Sequence, residues 1–232
     1  MEFYYGKNIL GNQILLDEDE TNHLVKVKRL KIGEKVQVTD GDGCIYLSAL
    51  TRVDKKQAVL EILEKSLFKK QPYQLHIAIA PTKNIDRTEW FVEKATENGI
   101  AEITFLNCAH SERKIIKEER MQKVMIAAMK QSLKPFATLL HPLTGFNEFV
   151  TRQQVGFKLI CATSAPAAST LHKNYQKGNS LLVLIGPEGD FHESEITLAL
   201  KNDFQLTTLG EARLRTETAA LAVCTIYNFI NL

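Results

Sequence analysis

The sequence predicts an α/β fold, a parallel sheet with helices on both faces, preceded by a small β-barrel. Three observations predict it. Residues 1–65 run in short alternating segments separated by turn residues, the period-two signature of β-hairpins. After Pro72 the period changes, and apolar strand-like runs alternate with amphipathic stretches of helix length. Between the two regions, Ser66–Pro72 gathers Lys69, Lys70, Gln71 and Pro72, a break that divides the chain into domains 1–70 and 71–232.

In the first region the strand candidates are Lys35–Thr39, Ile45–Leu50 and Gln57–Leu63. Asp40-Gly41-Asp42-Gly43 and Asp54-Lys55-Lys56 supply the turns, and Glu18–Val25 reads as a turn of helix. In the second region the strand candidates are Leu75–Ala80, Ile103–Leu106, Lys158–Ala162, Leu181–Ile185 and Gln205–Leu209. Between them lie helix candidates Arg87–Asn98, Lys117–Leu133, Ser169–Gln176 and His192–Asn202, followed by a final helix Thr216–Ile230. Asn98-Gly99 ends the first of these as a left-handed cap does, and Lys134-Pro135 closes the second. Met121, Val124, Met125, Ala128, Met129 and Leu133 recur on one side of that second helix, a stripe expected to face the core. The last helix differs, because apolar residues from Ala219 to Ile230 wrap almost its whole circumference and call for partners on every side.

Composition excludes several classes. The chain has 232 residues, 29 Lys+Arg against 27 Asp+Glu and 44% hydrophobic residues, enough to build a substantial core. No apolar run approaches the roughly 18 residues of a membrane span, and the N-terminus lacks a basic segment feeding an apolar one, so a cytoplasmic location is expected. Cys44, Cys108, Cys161 and Cys224 are scattered, with no CxxC or Cys/His ligand cluster. Reduced, mostly buried thiols are therefore expected, with no disulfide framework and no metal site. A net charge of +2 neither demands nor excludes nucleic acid.

The sequence contains no G-x-G-x-x-G after a strand, no G-x-x-x-x-G-K-[ST] and no G-x-S-x-G elbow, which lowers the weight of dinucleotide oxidoreductases, P-loop NTPases and α/β-hydrolases. The strand Leu181–Ile185 instead runs into Gly186-Pro187-Glu188-Gly189-Asp190-Phe191, whose glycines let a ligand approach the backbone while Pro187 stiffens the turn. The same pattern also suits a plain strand-to-helix loop. A second cluster, Leu209-Gly210-Glu211-Ala212-Arg213-Leu214-Arg215-Thr216-Glu217-Thr218-Ala219, crowds two arginines, two glutamates and two hydroxyls onto a helix N-terminus. Capping by Thr216 or Glu217 explains part of it, but capping alone does not need two closely spaced guanidiniums. Two strand-end loops lying close together in such a sheet make a ligand crevice.

These two segments, in this order and at this separation, resemble the family of 16S ribosomal RNA uracil-N3 methyltransferases, which belong to the SPOUT class of S-adenosylmethionine enzymes. The likeness continues through Glu93-Lys94-Ala95-Thr96-Glu97-Asn98-Gly99, His110-Ser111-Glu112-Arg113 and Gln131-Ser132. It reaches the N-terminal region, where Asn22-His23-Leu24-Val25-Lys26-Val27-Lys28-Arg29-Leu30 followed by Gly33 is similar to that family's PUA-like RNA-binding barrel. The chain departs from the family pattern at Asp190, His192, Glu211-Ala212-Arg213 and Leu133-Lys134.

The resemblance implies a second domain tied into a deep trefoil knot, acting as a homodimer. It also implies S-adenosylmethionine held by Leu184, Ile185, Gly186, Pro187, Glu188 and Gly189 and by Leu209, Gly210 and Leu214, with Thr163 beside them. Thr218 either contacts the cofactor or simply begins the helix. The implied substrate is 16S rRNA of the 30S ribosomal subunit, methylated at N3 of uridine 1498 in the standard RNA numbering. Uracil N3 carries a proton at neutral pH, so the site must stabilise an anion. Arg215 is the candidate to face the base's carbonyl oxygens, with Glu217 as proton acceptor or as the group that orients Arg215. A purely structural Arg215–Glu217 pair is the competing account.

For RNA contact the candidates are His23, Lys26, Lys28 and Arg29, with Lys31 and Lys35 nearby, and Arg113 with Lys114 from the second domain. Each also reads as a solvated surface charge, and His23 as a structural group. The alternatives in function are a SPOUT methyltransferase acting on another rRNA or tRNA position, and a non-catalytic RNA-binding ribosome-assembly factor.

Overall fold

The computed structural model describes residues 3–54, 56–152 and 156–232. Lys55 of the expected Asp54-Lys55-Lys56 turn lies outside the described residues. The chain forms two units, one of residues up to Lys70 with Ile126–Ala137, the other of Gln71–Met125 with Thr138–Leu232.

The first unit begins with β1 (Tyr4–Tyr5), β2 (Asn8–Leu10) and β3 (Gln13–Leu15), then α1 (Glu18–Asn22). These strands are two or three residues long, too short to show an alternating pattern in the sequence. Asp17 caps α1 by accepting a hydrogen bond from the Glu20 amide at 2.8 Å. The helix does not run on unchanged to Val25, because a π-helical stretch, His23–Val27, takes over. Next come β4 (Lys35–Thr39), β5 (Cys44–Val53) and β6 (Ala58–Leu67), and the six strands order as β1-β4-β5-β6-β3-β2. Cys44, Tyr46, Ser48 and Leu50 of β5 are buried while the residues between them are not, as period two requires. The side chains of Cys44, Tyr46 and Leu50 join Ile14, Leu16, Leu24, Val38 and Leu60 in one core.

The Asp40–Gly43 turn works as its composition implies. The Asp40 carboxylate accepts from the amides of Asp42 at 2.8 Å and Cys44 at 3.0 Å, and Gly43 adopts φ 104°. A Cβ at Gly43 would lie 2.5 Å from the Phe136 ring, so glycine is needed there twice over. Within this unit Glu20 is buried and accepts from the Tyr5 amide and from Lys130.

The second unit has β7 (Leu75–Ile79), α2 (Ile85–Glu97), β8 (Glu102–Asn107), the start of α3 (Glu118–Gln131), β9 (Leu139–Gly145) and α4 (Phe146–Thr151). After these come β10 (Phe157–Cys161), α5 (Leu171–Asn174), β11 (Leu181–Ile185), α6 (Glu193–Lys201), β12 (Gln205–Thr207) and α7 (Thr216–Asn231). All pairings are parallel, in the order β12-β10-β11-β7-β8-β9. The five residues of β11 are buried without alternation, as a central strand covered on both faces demands. One core gathers Ala78, Leu106, Phe146, Phe149, Ile160, Leu182, Leu184 and Phe191.

In the second unit two elements lie outside the expected set. β9 carries Pro142 and sits at the sheet edge, where a missing N–H is tolerated. α4 spans six residues, too few for a 3.6 period to declare itself. The helix expected over Ser169–Gln176 contracts to the single turn of α5. Of the expected core stripe, Met121, Met125, Ala128 and Met129 are buried along α3 and Val124 is half-buried, whereas Leu133 lies beyond the end of the helix and is exposed. α7 buries one stripe, Thr216, Glu217, Ala220, Val223, Cys224 and Tyr227, and leaves Phe229 75% exposed, so this chain supplies partners on only one side. No helix among the described residues is long and apolar enough to cross a membrane.

Candidate active site

The C-terminal ends of β7, β10, β11 and β12 feed four loops, and specific hydrogen bonds tie these together. The strand β11 delivers Leu184, Ile185, Gly186 and Pro187 into buried positions, with Glu188 and Gly189 exposed beyond them. The Thr216 hydroxyl, at the first residue of α7, donates to the Gly186 carbonyl at 3.1 Å. The start of α7 therefore meets the Gly186 corner. From the β7 side, the Ala80 amide donates to the Ile185 carbonyl at 3.0 Å, and the Lys83 amide donates to the Glu188 carboxylate at 3.0 Å.

Asp190 stands at φ 61°, a left-handed conformation that a side chain takes up only with compensation. Its carboxylate supplies that compensation. One oxygen accepts from the Thr163 amide at 2.8 Å and the Thr163 hydroxyl at 2.5 Å, and the other accepts from the Phe191 amide at 2.8 Å. The loop after β10 is thereby fastened to the loop after β11. His192 caps α6, accepting from the Ser194 amide through Nδ1, and Glu195 completes the capping box through the His192 amide at 2.9 Å. The second oxygen of Glu195 accepts from the Ala109 amide at 2.8 Å, which anchors the loop after β8 as well.

Glu217 lies buried in the first turn of α7, with one carboxylate oxygen 3.8 Å from the Arg87 guanidinium and the other without a hydrogen-bond partner. A buried carboxylate oxygen left open is costly unless a ligand or proton completes it. Desolvation first, and the Asp190 carboxylate second, push the Cys161 thiol up to about 12. Burial likewise raises Cys108 and Cys224, so none of these thiols is a thiolate near neutral pH.

Against this geometry, a family model described as an RNA methyltransferase domain matches residues 69–228. The chain belongs to that RNA methyltransferase family. A second model, an RNA methyltransferase PUA domain, matches residues 16–63. The Ribosomal RNA small subunit methyltransferase E of Aquifex aeolicus is 27% identical, over 97% of this chain and 98% of the relative. A crystal structure described as a probable rRNA-methyltransferase from Porphyromonas gingivalis superposes with a TM-score of 0.89 at 33% identity, covering 100% of this chain and 98% of that one. The Ribosomal RNA small subunit methyltransferase E of Neisseria gonorrhoeae, solved bound to S-adenosyl methionine, superposes with a TM-score of 0.86 at 27% identity, over 100% and 98%.

In this RNA methyltransferase most of the expected cofactor residues gather at one place. Leu184, Ile185, Gly186, Pro187, Glu188, Gly189 and Thr163, together with Thr216, share the hydrogen-bonded loop set at the strand ends. Leu209, Gly210 and Leu214 lie on the segment between β12 and α7, where the Thr208 hydroxyl donates to the Gly210 carbonyl at 3.0 Å and Gly210 takes φ 125°. Arg215 is the exposed N-cap of α7, and its side chain makes no capping bond. Glu217 pairs with Arg87 on α2, so the purely structural Arg215–Glu217 pair of the competing account does not form. Thr218 lies within α7 and is exposed, so it does not begin the helix.

Arg113 is half-buried and donates to the carbonyls of Thr82 at 3.1 Å and Lys83 at 2.6 Å, which makes it a buttress of the loop after β7. Lys26, Lys28 and Arg29 are exposed on the π-helical stretch and just beyond it, while His23 is half-buried with its ring 5.9 Å from that of Tyr4. Arg87, Asp190 and Glu195 join the site through long-range ties that the local sequence does not announce, although Asp190 stands in the glycine corner and Glu195 also closes the α6 capping box. Their roles depend on partners 130, 27 and 86 residues away in sequence, for which no local pattern exists. Cysteine spacing, the basis for expecting no metal site, says nothing about histidines and carboxylates on separate strands. Among the described residues, His76, Glu102 and His141 bring three ligand atoms within 4.8 Å of one another.

Proposed function

We propose that the chain transfers the methyl group of S-adenosylmethionine to N3 of a uridine in the 16S rRNA of the small ribosomal subunit, uridine 1498 in the standard RNA numbering. The observation that carries this reading is the Thr216–Gly186 tie, which sets the corner at Gly186–Gly189 beside the start of α7. Relatives that span nearly the whole chain are named as small-subunit ribosomal RNA methyltransferases, and one of them was solved with S-adenosyl methionine bound.

In this account the bound cofactor supplies an electrophilic methyl group. The backbone of Leu184–Gly189, together with Leu209, Gly210 and Leu214, would hold it, and Thr163 and Thr218 would border it. Methyl transfer is an in-line displacement, so the protein mainly aligns donor and acceptor and excludes water. Arg215, free of capping duty, faces the uracil carbonyl oxygens as negative charge develops. The open oxygen of Glu217 is the acceptor for the N3 proton, with Arg87 holding the carboxylate in place. With its proton removed, N3 is itself the nucleophile, so no cysteine is needed.

The domain 1–70 serves as the PUA-like RNA-binding barrel, with Lys26, Lys28 and Arg29 attracting phosphate, and 71–232 as the catalytic domain. A trefoil knot is supported by the strand order, in which β10 lies between β11 and β12 while the loops after β11 and β12 meet. A homodimer is supported by the outer face of α7, where Phe229 is exposed, with exposed Leu232 just beyond the helix end. The proposed setting is the cytoplasm.

Incubating the protein with labelled S-adenosylmethionine and 30S subunits from a strain lacking the modification tests the proposal. Mass spectrometry of the recovered rRNA should place one methyl group on N3 of that uridine. A methyl group at another nucleotide would point to a different SPOUT specificity, and cofactor binding without transfer would point to an assembly factor.

A further inference from the structure

The opposite ends of the strands carry a second constellation. His76 is the second residue of β7, Glu102 the first of β8, and His141 lies on β9. In the parallel register His76 is paired with Glu102, and Thr104 with His141. Paired residues on neighbouring strands point to the same face, and Glu102 and Thr104, two apart, share it as well. Topology therefore stacks two imidazoles, a carboxylate and a hydroxyl in one row across three strands.

The side chains converge accordingly. His141 Nε2 lies 2.7 Å from a Glu102 oxygen, His76 Nε2 lies 2.8 Å from the Thr104 hydroxyl, and the two imidazoles are 5.6 Å apart between ring centres. One ligand atom from each of His76, Glu102 and His141 falls within 4.8 Å of the others. The Phe149 ring packs edge-on against His76 at 5.7 Å and limits its rotation. The row opens into a cavity of about 330 Å³, which Gln74, Arg152 and Ser180 also line. A simple His141–Glu102 hydrogen bond accounts for one imidazole, yet the second turns its Nε2 onto the same row.

We propose that His76, Glu102 and His141 bind one divalent transition-metal ion of the zinc class, with a fourth position open to the cavity. Two neutral imidazoles and one carboxylate are a borderline donor set that suits Zn²⁺ and Co²⁺ and disfavours Mg²⁺ and Ca²⁺. Ligand atoms at about 2.0–2.2 Å from a tetrahedral ion stand roughly 3.3 Å from each other, so the cluster contracts on one side and opens slightly at the His141–Glu102 contact. Phe149 and the strand backbones hold the rings while this happens, and the ion staples the N-terminal ends of β7, β8 and β9. The site is separate from the methyl-transfer chemistry at the other strand ends.

Titration of the full-length, chelator-stripped protein with Co²⁺ alone, followed by Zn²⁺ competition, tests this. The expected result is one Co²⁺ per chain with the visible d–d bands of a four- or five-coordinate nitrogen and oxygen site. Zinc should displace it, and at tenfold excess should raise the melting temperature. The half-exposed positions allow His141→Ala and Glu102→Gln to be made without opening the core, and each should weaken binding at least tenfold while the metal-free melting temperature stays within a few degrees. If either variant is destabilised beyond that, His141→Gln serves in its place. Binding of less than a fifth of an equivalent, full binding retained in these variants, or a thiolate-to-cobalt charge-transfer band would each overturn the proposal. Because the readout is metal binding, its failure leaves the methyltransferase reading intact.

Discussion

The hydroxyl of Thr216 donates to the carbonyl of Gly186 at 3.1 Å, joining residues 30 positions apart at the point where two strand-end loops meet. Both groups are buried, so the carbonyl has no solvent to turn to if the hydroxyl is removed. Thr216→Val keeps the shape and deletes the donor, leaving an unpaired acceptor at a cost of about 1–3 kcal/mol. The expected outcome is a lower melting temperature and an affinity for S-adenosylmethionine reduced about tenfold, measured by thermal denaturation and calorimetry. Unchanged affinity would separate this tie from the cofactor site.

The Arg215 side chain makes no capping bond to α7, which leaves its guanidinium available for the proposed contact with the uracil. Arg215→Ala should reduce methyl transfer by about 100-fold or more, as loss of a charge-stabilising donor does, while cofactor affinity stays within about threefold. Single-turnover assays with calorimetry check both halves. A large loss of thermal stability with normal turnover would instead make Arg215 structural.

Asp190 is held left-handed by its own bonds to Thr163 and Phe191. Asp190→Ala keeps the awkward φ and removes the bonds, so the loop after β10 should loosen and cofactor affinity fall about tenfold, the equivalent of one lost hydrogen bond to a charged group. Asp190→Gly relieves the backbone but does not restore the link. Rescue of affinity by glycine alone would show that strain, and not the Thr163 link, sets the effect.

Much of this architecture is legible in the sequence, for identifiable reasons. β11 announces itself because Leu181–Ile185 is apolar throughout, and the β5 hairpin because Asp40–Gly43 encodes its turn chemistry. β9 is hidden by Pro142, and β1 to β3 by their brevity. At the site, the glycine corners and Arg215 are readable as motifs. The Arg87–Glu217 pair, the Asp190–Thr163 link and the His76–Glu102–His141 row are not, since each joins elements that only the tertiary fold brings together. Arg113 is readable as an RNA contact, and only the fold shows that its Nε and Nη2 also donate to the carbonyls of Thr82 and Lys83.

The raised thiols give a pH prediction. Cys161, Cys108 and Cys224 keep their protons in the fold well above the ordinary value of 9.0, whereas an unfolded chain releases them there. The folded state then binds more protons, so its stability is complete below about pH 9 and declines as pH rises from there toward about 12. Denaturant titrations between pH 7 and pH 10.5 should show the decline beginning near pH 9. Alkylation by a maleimide reagent at pH 7 should leave methyl transfer intact, and rapid inactivation would contradict the placement of these thiols.

Lys26, Lys28 and Arg29 stand exposed together in the first unit. Replacing all three by alanine should flatten the dependence of log affinity on log salt by up to about 2, at roughly 0.7 per phosphate contact for single-stranded RNA. Filter binding to the small-subunit rRNA over a salt series measures that slope. An unaltered slope would move RNA contact elsewhere.

The most direct measurement is a crystal structure of this chain grown with S-adenosylmethionine. The ligand is predicted to lie against the backbone of Leu184–Gly189 and Leu209–Leu214, with its methyl group directed toward Arg215 and the first turn of α7. A ligand bound elsewhere, or crystals at saturating cofactor with these loops bare, would contradict the account.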